Sequence, residues 1–119
     1  MEISSYNLFW PNFSSCFTSS LKTLSEYEQF TDITLFCENT KQLRAHKIIL
    51  GTCSYFFRNI LASLPIQPAH LYIDGVSHQD LTNVVAFMYM GEMNIRKENL
   101  NDFTDVCKKF QLLGLPDRG

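Results

Sequence analysis

The chain reads as an α+β domain in which helices dominate, and three observations point there. Short β-branched or aromatic runs, ITLFC at 33–37 and LYI at 71–73, have the compact form of strands. Other segments carry apolar residues at i, i+3, i+4 and i+7, clearest in Leu81, Val84, Val85 and Met88. Glycine, proline or a polar cluster stands at most of the joins. Its 119 residues suit one domain, residues 1–119 with a core over about 6–116, and no repeat or linker divides it. A chain of this length buries roughly two-thirds of its unfolded surface, enough for one core without disulfides or metal.

The elements follow in order. YNLFW at 6–10 alternates, with Tyr6, Leu8 and Trp10 on one side, and Pro11 stops it; a strand so near a terminus needs a sheet to join. Asn12 is placed to cap a helix carrying Phe13, Phe17, Leu21 and Leu24, with Cys16 and Ser20 beside them. After the strand at 33–37, Glu38–Lys41 supplies a turn and 42–45 returns as a hairpin partner. Residues 47–51 form a short helix ending at Gly51, and Ser54 caps another bearing Phe56, Phe57, Ile60 and Leu61. Pro65 and Pro68 end that helix. Ser77 with Asp80 resembles a capping box for the helix over Leu81–Met88, which Gly91 closes. Glu92–Ile95 reads as a brief strand, and Asn99 as the cap of a last helix with Leu100, Phe103, Val106, Cys107 and Phe110. Gly114 and Pro116 terminate that helix.

Composition narrows the function. Net charge is −2, too little basic character to track a phosphate backbone, so direct nucleic-acid binding by this domain is not expected. No apolar run reaches the length of a membrane span, and the start lacks the form of a signal peptide. Cysteines at 16, 37, 53 and 107 form neither a C-x-x-C motif nor a disulfide framework, so an intracellular, reduced protein is expected. Ten phenylalanines, five tyrosines and a tryptophan are more aromatic surface than a small core needs, which points to a partner.

RAHKIILGTCSYF at 44–56 has the residue types of a reactive centre. A metal site needs three or four ligands, and neither His70 nor His78 is spaced to join His46. A thiol enzyme needs an activated cysteine; Cys53 precedes a helix start, yet no glycine-rich oxyanion loop or orienting acid accompanies it. No catalytic residue, metal or cofactor is therefore expected, a small thiol enzyme being the remote alternative. In the core-wall reading, Ala45, Ile48, Ile49 and Cys53 face inward and Arg44, Lys47 and Arg58 outward. His46 then satisfies a backbone group at the strand-to-helix turn.

The order of motifs resembles a BTB/POZ domain. Phe30-Thr31-Asp32-Ile33-Thr34-Leu35, Leu43-Arg44-Ala45-His46-Lys47-Ile48-Ile49-Leu50 and Cys53-Ser54-Tyr55-Phe56 resemble its first half. Phe87-Met88-Tyr89-Met90-Gly91-Glu92 resembles its F-x-Y-x-G helix end, and Leu112–Leu115 its closing turn. Tyr6–Asn12 is similar to the F-x-L-R-W-N-N start of the insect Tramtrack-type subgroup, with Phe9 in place of arginine and Pro11 in place of asparagine.

That resemblance implies a helical cluster flanked by a short mixed sheet, in a homodimer whose first strand crosses to pair with the partner's residues 92–95. Tyr6, Leu8, Trp10, Phe13, Phe17, Glu92, Met93, Asn94 and Ile95 would form the dimer interface; the alternative is that the aromatic strand packs on its own core. It also implies a charged pocket of Asp32 and Lys47 at the dimer groove. Implied partners are the chain itself, possible higher oligomers, other BTB proteins, and corepressors or chromatin factors. The setting is a nuclear transcription regulator whose DNA-binding modules lie elsewhere, so the chain would be the N-terminal part of a longer protein. A cullin-3 substrate adaptor is the alternative, disfavoured because residues 59–70 hold no acid for the usual contact. A potassium-channel tetramerisation domain would carry a His/Cys zinc pattern that this sequence lacks.

Overall fold

The computed structural model describes residues 4–38, 41–63 and 69–115. Helix α1 spans Phe13–Tyr27, strand β1 Ile33–Cys37, β2 Lys41–Ala45, α2 Lys47–Cys53, α3 Tyr55–Leu61, β3 Ala69–Tyr72, α4 His78–Met90 and α5 Leu100–Lys109. A 3₁₀ turn, Lys97–Asn99, leads into α5.

The strands form one mixed sheet in the order β2-β1-β3, with β1 antiparallel to β2 and parallel to β3. Leu35 sits at its middle, opposite Leu43 on one side and Leu71 on the other, and is fully buried. A central strand has little contact with water, which explains why ITLFC is almost wholly apolar. Edge strand β2 instead carries Lys41 and Arg44, charges that discourage pairing with a foreign strand.

Against the sheet, α2 to α5 enclose a core that includes Leu50, Phe57, Leu81, Val84 and Phe110. Phe57 and Phe110 stack at 5.4 Å, and Phe56 meets Phe110 edge-on at 5.3 Å. Ser54 separates α2 from α3: its backbone is extended, and its Oγ accepts the Phe57 N–H at 3.1 Å while donating to the Phe110 carbonyl at 2.5 Å. Ser77 Oγ accepts the Asp80 N–H at 3.0 Å, and Gly91 closes α4 with φ +76, as the spacing predicts.

Residues 6–10 and 92–95, expected to pair across a dimer, form no ladder among the described residues of a single chain. Several other expectations are corrected. β3 begins at Ala69, two residues before Leu71, and ends at Tyr72 rather than Ile73. Helix α2 continues through Gly51 to Cys53, since Ser54 and not the glycine imposes the break. Ile48 is 74 % exposed, for Leu50 takes the inward position of this short helix. α5 ends one residue early, with Phe110 as its C-cap. Asn12 and Asn99 stand at N-cap positions without a side-chain cap bond; Asn12 is left-handed at φ 64, and its carbonyl accepts the Cys16 N–H at 2.9 Å. Pro65, Pro68, Pro116 and residues 39–40 of the hairpin turn lie outside the described residues.

Candidate functional site

Helix α1 contacts α4 but contains no buried residue; only Leu21, Leu24 and Ser25 are even half-buried. The segment before it is more open still: Tyr6, Leu8 and Trp10 are 93 %, 94 % and 68 % exposed. Packing on the chain's own core is thereby set aside for these three. The Trp10 ring lies 5.2 Å from Phe13, and Phe13 stacks 5.8 Å from Phe17, so three aromatic side chains make a continuous ridge in water. Scattered exposed apolar residues are ordinary; a contiguous run of them marks an interaction surface.

Residues 92–95 supply a second unpaired feature. Met93 and Ile95 are half-buried while Glu92 and Asn94 are exposed, an alternation suited to a strand with one face on the body. Met93 and Ile95 border a cavity of about 330 Å³ that is also lined by Phe87, Leu100, Phe103, Cys107 and Leu115. The lining is chiefly apolar, fitted to aliphatic or aromatic side chains.

The polar residues of 44–56 take structural partners. His46 is buried; its Nδ1 meets the Tyr89 hydroxyl, and its Nε2 lies 2.5 Å from the Gln29 carbonyl. The Tyr89 oxygen also accepts the His46 backbone N–H at 3.0 Å. One consistent assignment has the hydroxyl donating to Nδ1 and the Nε2 proton donating to Gln29. His46 thus ties the segment after α1 to the core: its ring meets a backbone carbonyl, but that of Gln29, 17 positions away, and not one at the strand-to-helix turn where the sequence reading put it. Burial is the main cause that pushes the Tyr89 hydroxyl up to about 12. Burial likewise raises the Cys53 thiol above its ordinary range, and Sγ lies 3.6 Å from the Met88 carbonyl, so nothing here generates a thiolate.

Asp32 is exposed in the single chain, and its carboxylate accepts the Lys47 backbone N–H at 2.7 Å, at the start of α2. The acid therefore caps the helix that Lys47 opens. Around this joint Arg44 Nε donates to Thr31 Oγ1 at 3.0 Å, and Phe30 stands 85 % exposed with φ 63. Sequence reasoning missed Tyr89 as the hub of this joint. The available signal was its place one position beyond Met88 on the α4 stripe, because a buried tyrosine requires a hydroxyl partner.

The family model for the BTB/POZ domain matches residues 21–118. Protein abrupt of Drosophila melanogaster is 37 % identical over 112 residues, covering 94 % of this chain and 12 % of that protein. Protein tramtrack, alpha isoform, from the same fly is 33 % identical over 110 residues, 92 % of this chain and 13 % of that protein. The chain thus spans about an eighth of the length of these relatives. With abrupt, 112 of 119 residues leave at most seven unaligned, so that alignment begins no later than Leu8 and takes in the aromatic ridge. Among solved structures, the BTB domain of zebrafish PATZ1 superposes with a TM-score of 0.73 at 20 % identity, covering 89 % of this chain and 86 % of that one, a likeness of fold.

Proposed function

From the premise that this chain belongs to the BTB/POZ domain family, a family of protein-interaction modules, we propose that it assembles a transcription regulator in the nucleus by forming a homodimer and recruiting corepressor or chromatin proteins. DNA contact falls to other modules of the regulator. The observation that carries this reading is the exposure of Tyr6 and Leu8 and of the ridge of Trp10, Phe13 and Phe17, together with a half-buried segment at Glu92–Ile95 that joins no strand among the described residues.

The two features are complementary. In the dimer, residues 6–10 of one copy lie along 92–95 of the other and complete a two-stranded ladder. Five strand residues reach about 17 Å, enough to cover four opposite them. Leu8 and Trp10 then turn toward Met93, Ile95 and the apolar cavity, while Glu92 and Asn94 stay at the water face. Burying such side chains contributes about 25 cal/mol per Å² of apolar surface removed from water. Reciprocal exchange doubles that area, and α1 packing on its symmetry mate covers Phe13 and Phe17. Asp32 and Lys47 line a charged pocket at the groove between the two copies, where a corepressor segment docks.

The test is light scattering on the purified chain and on one lacking residues 1–11. The full chain is expected at twice 13.8 kDa or more across a micromolar dilution series, and the truncated chain at the mass of its own single copy or in aggregates. A full chain that scatters as a single copy throughout, or a truncated one that keeps its assembled mass in solution, overturns the exchanged-strand reading.

A further inference from the structure

We propose that the cavity between α1, β2 and α4 binds a small zwitterion with an aliphatic side chain, which is the chemistry of an apolar α-amino acid. A single chain supplies every wall, so the proposal stands apart from the homodimer.

The hollow has a definite construction. On α4, Thr82, Val85, Ala86 and Tyr89 follow helical spacing and form one wall. Leu24, Ser25 and Glu28 at the end of α1 form a second. Leu43 and Arg44 of β2, with His46 beyond them, form a third. Between them lies about 220 Å³, below the roughly 300–1,000 Å³ of pockets that take drug-sized ligands, so the occupant is small.

Two features point to a bound group. The first is the Thr82 hydroxyl, which is buried and has no hydrogen-bond partner among the described residues. Buried hydroxyls are nearly always satisfied by the chain, by water or by a ligand, because an unpaired one forfeits its hydration. A threonine on a helix has two accessible χ1 rotamers, and a turn of χ1 suffices to offer this hydroxyl to the cavity it lines.

The second is a pair of opposite charges that do not meet. Glu28 and Arg44 line the same hollow, yet among the described residues no ion pair joins them. Arg44 Nε donates to Thr31 Oγ1 at 3.0 Å, and Thr31 Oγ1 donates to the Glu28 carbonyl at 3.3 Å. That relay steadies the guanidinium by its inner edge and leaves the two Nη groups to grip a carboxylate with two parallel bonds.

The signs of the rim select the class of ligand. An anion alone is repelled by Glu28, and a cation alone by Arg44. A molecule carrying both charges satisfies both, with its carboxylate on Arg44 and its ammonium on Glu28. Its side chain then lies on Leu24, Leu43, Val85 and Ala86, which favour an aliphatic group.

The test titrates the full chain with L-valine, L-leucine and L-methionine in turn, followed by amide chemical shifts. At least one is expected to saturate in the millimolar range, with shifts confined to residues that line the cavity. For the tightest of the three, the deaminated acid lacks the ammonium and the amide lacks the carboxylate. Each analogue is expected to bind about tenfold more weakly than the amino acid, as the loss of one charge-assisted contact implies. Glu28→Gln should bind the acid more tightly than the unmodified chain does, and Arg44→Gln the amide, while each variant binds the amino acid more weakly. Both side chains are exposed, so the variants keep the fold. Absence of saturable shifts with all three amino acids overturns the proposal. So does binding that neither variant changes, or an acid or amide held as tightly as the amino acid.

Discussion

The body and the N-terminal region of this chain use the same residue types in opposite ways. In the body, Phe57 and Phe110 stack face to face and are 0 % and 1 % exposed. In the N-terminal region, Phe13 and Phe17 also stack, and each is about half exposed. The first pair holds one chain together. The second contributes little until another surface covers it, since the hydrophobic effect acts on area removed from water and not on ring contact as such. Burial that holds the fold together is thus concentrated in the body, while the N-terminal rings are left exposed.

Three comparisons can break or sharpen that contrast. The largest effect is expected for Phe57→Ala, which empties a ring from the core and costs about 3–5 kcal/mol at any protein concentration. Its counterpart Trp10→Ala should lower the melting temperature only where the chain is assembled, with the deficit shrinking on dilution. Denaturant melts at several concentrations separate the two, and a Trp10→Ala deficit that ignores concentration would return the arm to the body.

A middle-sized effect is expected for Tyr89→Phe. It strips the buried His46 N–H and ring of their hydroxyl partner, at about 1–3 kcal/mol. Because this joint belongs to the body, the loss should be independent of concentration. The folded-state pKa of Tyr89 is raised from 10.0 to about 12, chiefly by burial, so its contribution is complete below pH 10 and is lost as pH rises through about 12. Between those values wild-type melting temperatures should fall more steeply than those of Tyr89→Phe; parallel curves would show that the hydroxyl is not linked to folding.

The smallest effect concerns Asp32 and Lys47, which stand where the two regions meet. As a solvent-exposed pair they are worth about 1 kcal/mol or less. Shielded by a second copy, they couple, and Asp32→Asn alone should harm the dimer and corepressor capture more than Asp32→Asn combined with Lys47→Gln. Asparagine keeps an oxygen for the Lys47 N–H, so the comparison isolates charge from capping. Additive, sub-kilocalorie changes in melting and pull-down would assign the pair to ordinary surface.

Much of the body was legible because its signals are local. Ser77 with Asp80, the stripe from Leu81 to Met88 and Gly91 each state a helix boundary or face within a few residues. ITLFC likewise declares a buried strand. Whatever depends on distant partners was less legible. Residues 6–10 and 92–95 have strand-like alternation, but pairing needs a neighbour and alternation does not name one. Ile48 was misplaced because a seven-residue helix has room for only one inward turn, and Leu50 occupies it. The candidate interface was visible as surplus aromatic residues, and the family resemblance named its parts. The joint of Tyr89, His46 and Gln29 was not visible, since its members lie 43 and 17 positions apart.

Ser54 bears on the order in which the chain can be completed during synthesis. Its hydroxyl caps α3 through Phe57 at once, but its acceptor is the Phe110 carbonyl, 56 residues further on, and its backbone bridges to Leu112. A ribosome delivering the chain from its N-terminus exposes α2 and α3 long before that acceptor exists. The corner between them, and the ring stack of Phe57 on Phe110, can close only when nearly the whole domain has emerged. Loop closure over such a distance is among the slower steps of folding. The exposed aromatic residues that precede α1 are therefore delivered while the core behind them is still unfinished.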